Sequence, residues 1–95
     1  MATIYYTLSL NYIQINIDGD FDYNIHNNDV FKSIDKLITE DIRFYIFNLS
    51  KLNFINSFCI GYFIGLKKRC IKSNKNIFIL TPQDKIYKIL HSVGL

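Results

Sequence analysis

Along the second half of the chain the spacing of apolar residues switches repeatedly between a strand period and a helix period. Phe44-Tyr45-Ile46-Phe47-Asn48-Leu49 is a nearly unbroken apolar run, the pattern of a central strand covered on both faces. From Ser57 to Ser73 the residues Cys59, Phe63, Leu66 and Cys70 fall on one helical stripe, flanked by Ile60 and Ile71. Asn76-Ile77-Phe78-Ile79-Leu80 returns to a short apolar run, and Ile86, Ile89, Leu90 and Val93 return to helical spacing. Strands that alternate with helices through short connections restrict the chain to parallel pairing with right-handed crossovers.

The first half adds two strands and a helix. Ile4, Tyr6, Leu8 and Leu10 alternate with Thr7 and Ser9, and Ile13, Ile15 and Ile17 alternate with Gln14, Asn16 and Asp18, which predicts a hairpin turning near Asn11. Gly19-Asp20-Phe21-Asp22 is expected to break the second strand. Val30, Phe31, Ile34, Leu37 and Ile38 then recur at helical spacing, with Asn27 or Asn28 as the cap. A loop through Lys51 and Asn53 should join the central strand to the second helix. Thr81 and Pro82 mark the start of the third helix, as cap and first residue, and Gly94 its end. The expected fold is α/β: one small domain over residues 1–95, with a mostly parallel sheet and amphipathic helices.

With 95 residues, 49% of them hydrophobic and only four glycines and one proline, the chain is expected to fold as a packed domain and not to be disordered. No apolar run approaches the roughly 18 residues of a membrane span, and no leader pattern opens the sequence, so the expected location is the cytoplasm. The net charge of +3 is unevenly distributed, because residues 1–42 are acidic and residues 43–95 strongly basic. The basic run Lys67, Lys68, Arg69, Lys72 and Lys75 reads as a solvated helix end that complements the helix dipole, and no direct nucleic-acid contact is expected.

Signatures of catalysis are missing from the sequence. It has no phosphate-binding glycine loop and no nucleophile elbow, and neither His26 nor His91 lies at ligand spacing from a cysteine or carboxylate. Asp18, Asp20 and Asp22 read as a solvated acidic loop or a partner-facing edge, not as a cation site. On one helix Cys59 and Cys70 would stand about 16 Å apart, too far for a disulfide. Neither metal nor cofactor is expected, and the protein is not expected to be an enzyme.

The informative segment is Phe54-Ile55-Asn56-Ser57-Phe58-Cys59-Ile60-Gly61, where the chain enters the second helix. Asn56 and Ser57 are capping residues, and a phosphate on Ser57 would sit at the positive end of the helix dipole. Gly61, Gly65, Lys68 and Lys72 lie on the helix side opposite the apolar stripe. Two glycines there leave bare backbone that another protein can approach closely.

Gly19-Asp20-Phe21-Asp22, the strand ending Asn48-Leu49-Ser50, the Phe54 to Ser57 segment leading to Ile60-Gly61, and Ser92-Val93-Gly94-Leu95 together resemble a STAS domain of the bacterial anti-sigma-factor antagonist type. The likeness runs ungapped from about Ile13 to Leu95. In that family the loop reads Asp-Ser-Ser/Thr-Gly-Leu-Gly, and its first serine is phosphorylated by a partner anti-sigma factor with kinase activity. The matching position is Ser57. Asn56 stands in place of the aspartate, Phe58 in place of the second hydroxyl residue and Cys59 in place of the first glycine. Members of the family typically continue into another strand and helix, so one sheet edge is expected to be uncovered.

The resemblance implies a bacterial phosphoprotein that binds an anti-sigma factor with serine-kinase activity and thereby regulates transcription. It implies Ser57 as the modified residue, and a partner surface made of Asp20, Asp22, Asn56, Ser57, Phe58, Gly61, Gly65 and Lys68. The alternative is a STAS scaffold subunit without phosphorylation, in a signalling complex or a lipid-transport ATPase. A homodimer is a further expectation.

Overall fold

The computed structural model describes residues 2–21, 25–38, 41–81, 84–92 and 94. In chain order the elements are β1 (Ala2–Leu8), β2 (Tyr12–Phe21), α1 (Ile25–Ile38), β3 (Phe44–Asn48), β4 (Leu52–Ile55), α2 (Ser57–Lys72), β5 (Asn76–Leu80) and α3 (Asp84–Ser92). The sheet order is β1-β2-β3-β5, with β4 also paired to β2. Among the described residues only the β1–β2 hairpin is antiparallel; β2–β3, β2–β4 and β3–β5 are parallel. This is the mostly parallel α/β arrangement read from the sequence.

Ile13, Ile15 and Ile17 of β2, with Tyr45 and Phe47 of β3, point to one side of the sheet and are fully buried there. Phe31 and Ile34 from α1, Cys59, Phe63 and Leu66 from α2, and Ile86 and Leu90 from α3 complete the same core. All three helices therefore form one layer on one face. Phe63 sits at the centre, edge-on to Phe21 at 5.6 Å and to Phe47 at 5.5 Å between ring centroids.

Four local readings are corrected. The second strand does not break at Gly19. It continues to Phe21, because Gly19 adopts φ 91° and a register shift lets the strand bend there and carry on. The expected loop through Lys51 and Asn53 contains β4, which pairs with the last residues of β2 and carries the extra residue of the register shift at Asn53. Helix α1 begins at Ile25, so Asn27 and Asn28 lie inside its first turn and not at the cap.

The fourth correction concerns β3, which is interior but covered on one face only. Phe44, Ile46 and Asn48 look away from the helices, and Phe44 is 42% exposed. On that open face Asn16, 5% exposed, accepts hydrogen bonds from Gln14 at 3.1 Å and Asn48 at 2.8 Å, so its polar side chain is satisfied.

Helix α2 closes in a Schellman-type turn. Lys75 N–H donates to Cys70 O at 2.7 Å and Asn74 N–H to Ile71 O at 3.1 Å. Asn74 takes the left-handed conformation, φ 59°, that a glycine often fills. At the end of α3, Gly94 has φ 86° and fits the C-terminal role expected of it. The expected α3 start falls on Pro82, which lies outside the described residues together with Asp22 and Val93.

Candidate functional site

Strands β2 and β4 end side by side, with Phe21 opposite Ile55, and Asn56 N–H donates to Phe21 O at 3.3 Å. The chain then turns directly into α2. Asn56 has extended dihedrals, φ −100° and ψ 173°, and its Oδ1 accepts from Cys59 N–H at 3.0 Å, while its carbonyl accepts from Ile60 N–H. It is the N-cap, so the amide in place of the family's carboxylate preserves the cap bond. Replacing Asn56 by alanine is expected to destabilise the fold by about 1 kcal/mol, measured by urea titration of the two proteins.

Ser57 is the first residue of the helix and is exposed. A group attached to its hydroxyl meets the positive end of the dipole, and the first-turn N–H groups lack intrahelical acceptors. The site lies at the carboxyl ends of parallel strands, where α/β folds place ligands.

Beside Ser57 is an open apolar hollow of about 470 Å³, lined by Phe31, Ser57, Phe58, Gly61 and Tyr62. Phe58 is 53% exposed. Phe31 stacks on Tyr62 at 4.4 Å and lies 6.1 Å from Phe58. Among the described residues nothing stands within 4 Å of where a Cβ would be at Gly61 or Gly65, so neither glycine is needed for packing against them. Gly61→Ala should therefore leave stability unchanged or raise it by up to about 1 kcal/mol through helix propensity, as read from thermal melts.

The hollow is braced by a polar clamp between α1 and α2. Tyr62 Oη donates to Asp35 Oδ1 at 2.8 Å, and Arg69 Nη2 donates to the same oxygen at 2.9 Å. Burial, then the Asp35 hydrogen bond, push the Tyr62 phenol well above its ordinary range, so it stays a neutral donor. The Asp35 hydrogen bond likewise raises Arg69. Burial raises the thiol of Cys70, and both cysteines are buried and unbridged.

The structure brings Asn56, Ser57, Phe58 and Gly61 together at the start of α2, with Gly65 and exposed Lys68 following along the same helix. Asp20 is near in the sheet but faces elsewhere. It is paired with Phe54, and both are exposed, whereas the adjoining pair Phe21 and Ile55 points into the core. Phe31, Asp35 and Tyr62 were not marked by sequence reasoning as part of the site. The first was legible only as a core residue of α1, and the contact between the other two spans 27 residues of chain.

No helix of the described residues is long and apolar enough to cross a membrane, and no cluster of metal-binding side chains occurs among them. No curated protein sequence matches the chain. The fold is similar to that of the anti-sigma factor antagonist SpoIIAA in its unphosphorylated form, with TM-score 0.78 and 18% identity over 100% of this chain and 82% of that one. It is likewise similar to the phosphorylated form of SpoIIAA, described as a Bacillus cell fate determinant, with TM-score 0.76 and 18% identity over 98% of this chain and 85% of that one. A family model described as the STAS domain matches residues 7–95, and the chain belongs to that family.

Proposed function

We propose that this STAS domain is a non-enzymatic binding switch of the anti-sigma-factor-antagonist type, acting in the bacterial cytoplasm and regulating transcription. Its unmodified form holds an anti-sigma factor with serine-kinase activity, and phosphorylation of Ser57 by that partner releases it. The partner brings the nucleotide and its metal. One observation carries the reading: an exposed serine hydroxyl at the first position of a capped helix, on the rim of an aromatic hollow. The hollow offers a partner an apolar anchor point, and the serine next to it offers a place to introduce charge. The stripe from exposed Ser57 and Gly61 through half-buried Gly65 to exposed Lys68 is the surface on which the partner lies. Asp20, exposed beside Phe54 near the end of β2, lies off this stripe.

A second reading is favoured by Phe58, whose exposed ring occupies the place of a hydroxyl residue in the family loop. In it the domain is a scaffold subunit of a signalling complex or lipid-transport ATPase, bound through the same hollow without phosphorylation.

The two readings separate in one experiment. The protein is used to capture its partner from a lysate of its own cells, the complex is incubated with ATP and Mg²⁺, and intact mass and peptide mapping follow. One phosphate on Ser57 supports the switch. Stable capture with no phosphate on the protein supports the scaffold. Gly61→Ala adds a check common to both, since the added methyl leaves the fold alone and should weaken capture.

A further inference from the structure

Strand β1 is an edge strand made entirely of uncharged residues, Ala2-Thr3-Ile4-Tyr5-Tyr6-Thr7-Leu8. It has no proline, no lysine and no bulge, the devices that normally keep an exposed edge from pairing. It also holds the densest group of exposed apolar side chains in the described residues: Tyr5, Tyr6 at 56%, Leu8 at 63% and, in the following turn, Leu10.

The hairpin hydrogen bond from Ser9 N–H to Tyr12 O, together with the register, fixes which backbone groups face outward. Thr3, Tyr5 and Thr7 bond to β2, so the N–H and C=O groups of Ile4, Tyr6 and Leu8 point away from the sheet. The side chains of the same three residues lie on the helix side, where Ile4 and Tyr6 meet Leu37, Ser33 and Lys36 in a hollow of about 380 Å³. Tyr6 and Leu8 continue into an adjoining hollow of about 460 Å³ with Leu10, Ile13, Leu37, Asp41 and Ile42. Together these form one apolar groove between β1 and α1, with Lys36 at the Ile4 end and Asp41 at the Leu8 end.

We propose that the occupant of this edge is a second copy of the chain, paired β1 to β1 antiparallel about a two-fold axis at Tyr6. In that register Tyr6 faces Tyr6 of the other copy, and Ile4 of each faces Leu8 of the other. All outward groups from Ile4 to Leu8 are then satisfied by about six backbone hydrogen bonds. The two-fold brings the Lys36 end of one groove to the Asp41 end of the other, so the charges match without any foreign partner. The apolar side chains at the axis cover one another's grooves. The result is one continuous sheet through both copies, and the β4–α2 site stays outside the contact. The inference therefore stands independently of whether Ser57 is modified.

Sedimentation velocity on the full chain tests it, over concentrations up to about 0.5 mM. The wild type should dimerise in this range. Tyr6→Lys, which sets two like charges on the axis, should weaken the dimer about a hundredfold or more with an unchanged circular dichroism spectrum. Phe78→Lys, an exposed position on the opposite edge strand β5, should leave the dimer intact. If Tyr6→Lys simply unfolds, the charge exchange decides. Lys36→Glu and Asp41→Lys should each weaken the dimer about tenfold, and the double variant should restore it. A wild type that stays monomeric throughout, whether the groove takes a small apolar ligand or a different protein, overturns the proposal. So does a dimer lost on Phe78→Lys, or a charge exchange without restoration.

Discussion

Phe63→Ala is expected to remove about 3–5 kcal/mol of stability, enough to leave much of a domain this small unfolded at physiological temperature. Phe63 is 2% exposed and is the ring that α2 inserts between Phe21 of β2 and Phe47 of β3, with Tyr62 edge-on beside it. Truncation loses the transfer energy of the ring. It also leaves a cavity that cannot collapse, because its walls are held by strand ladders on one side and by α1 and α2 on the other. The edge-to-face contacts with two partners add to the loss. Urea unfolding followed by far-ultraviolet circular dichroism measures the effect. A midpoint near that of the wild type would mean that α2 does not pack as described.

The second large effect concerns binding and leaves stability alone. Ser57→Asp should keep its melting temperature, because a carboxylate in the first turn of α2 interacts favourably with the helix dipole. It should bind the partner at least about a hundredfold more weakly, equivalent to about 2.7 kcal/mol. The physical reason is the neighbourhood of Ser57. A partner whose apolar side chains occupy the hollow of Phe31, Phe58 and Tyr62 excludes water from the adjacent serine. A charge there is then buried without a counter-ion, which costs several kcal/mol. Ser57→Ala, which removes the hydroxyl and adds no charge, should bind normally and accept no phosphate. Isothermal titration with the captured partner measures both variants. Tight binding by Ser57→Asp would favour the scaffold reading.

Where function concentrates, the fold was legible in the sequence to differing depth. The stripe Cys59, Phe63, Leu66 and Cys70 is an intrinsic helical period, and the structure buries all four residues. Asn56 and Ser57 were equally legible, since capping chemistry is local to one turn. The strand Leu52–Ile55 was not. Four residues containing an asparagine carry little strand signal of their own, and β4 exists because β2, bent at Gly19, continues far enough to pair with it. Phe44 and Ile46 misled in the opposite direction. Their apolar character suggested cover on both faces, yet the three helices all pack on one side and leave them on the open face. The hollow beside Ser57 was hidden for a related reason: Phe31 and Tyr62 come from different helices and meet only when α1 docks on α2.

The Asp35 clamp follows the same logic of distant contacts. Its carboxylate takes the Tyr62 phenol and the Arg69 guanidinium on one oxygen, so the position of α1 against α2, and hence the width of the hollow, depends on an interaction that no local pattern announces. Much of the ion pair is open to solvent, and its contribution is to geometry more than to stability.

The most direct test of the switch is the affinity of the captured partner for the unmodified protein and for the same protein carrying a phosphate on Ser57, measured side by side by calorimetry. The account predicts tight binding of the unmodified form and binding weaker by at least about a hundredfold for the phosphorylated form, with both forms melting at similar temperatures. Equal affinities would contradict it.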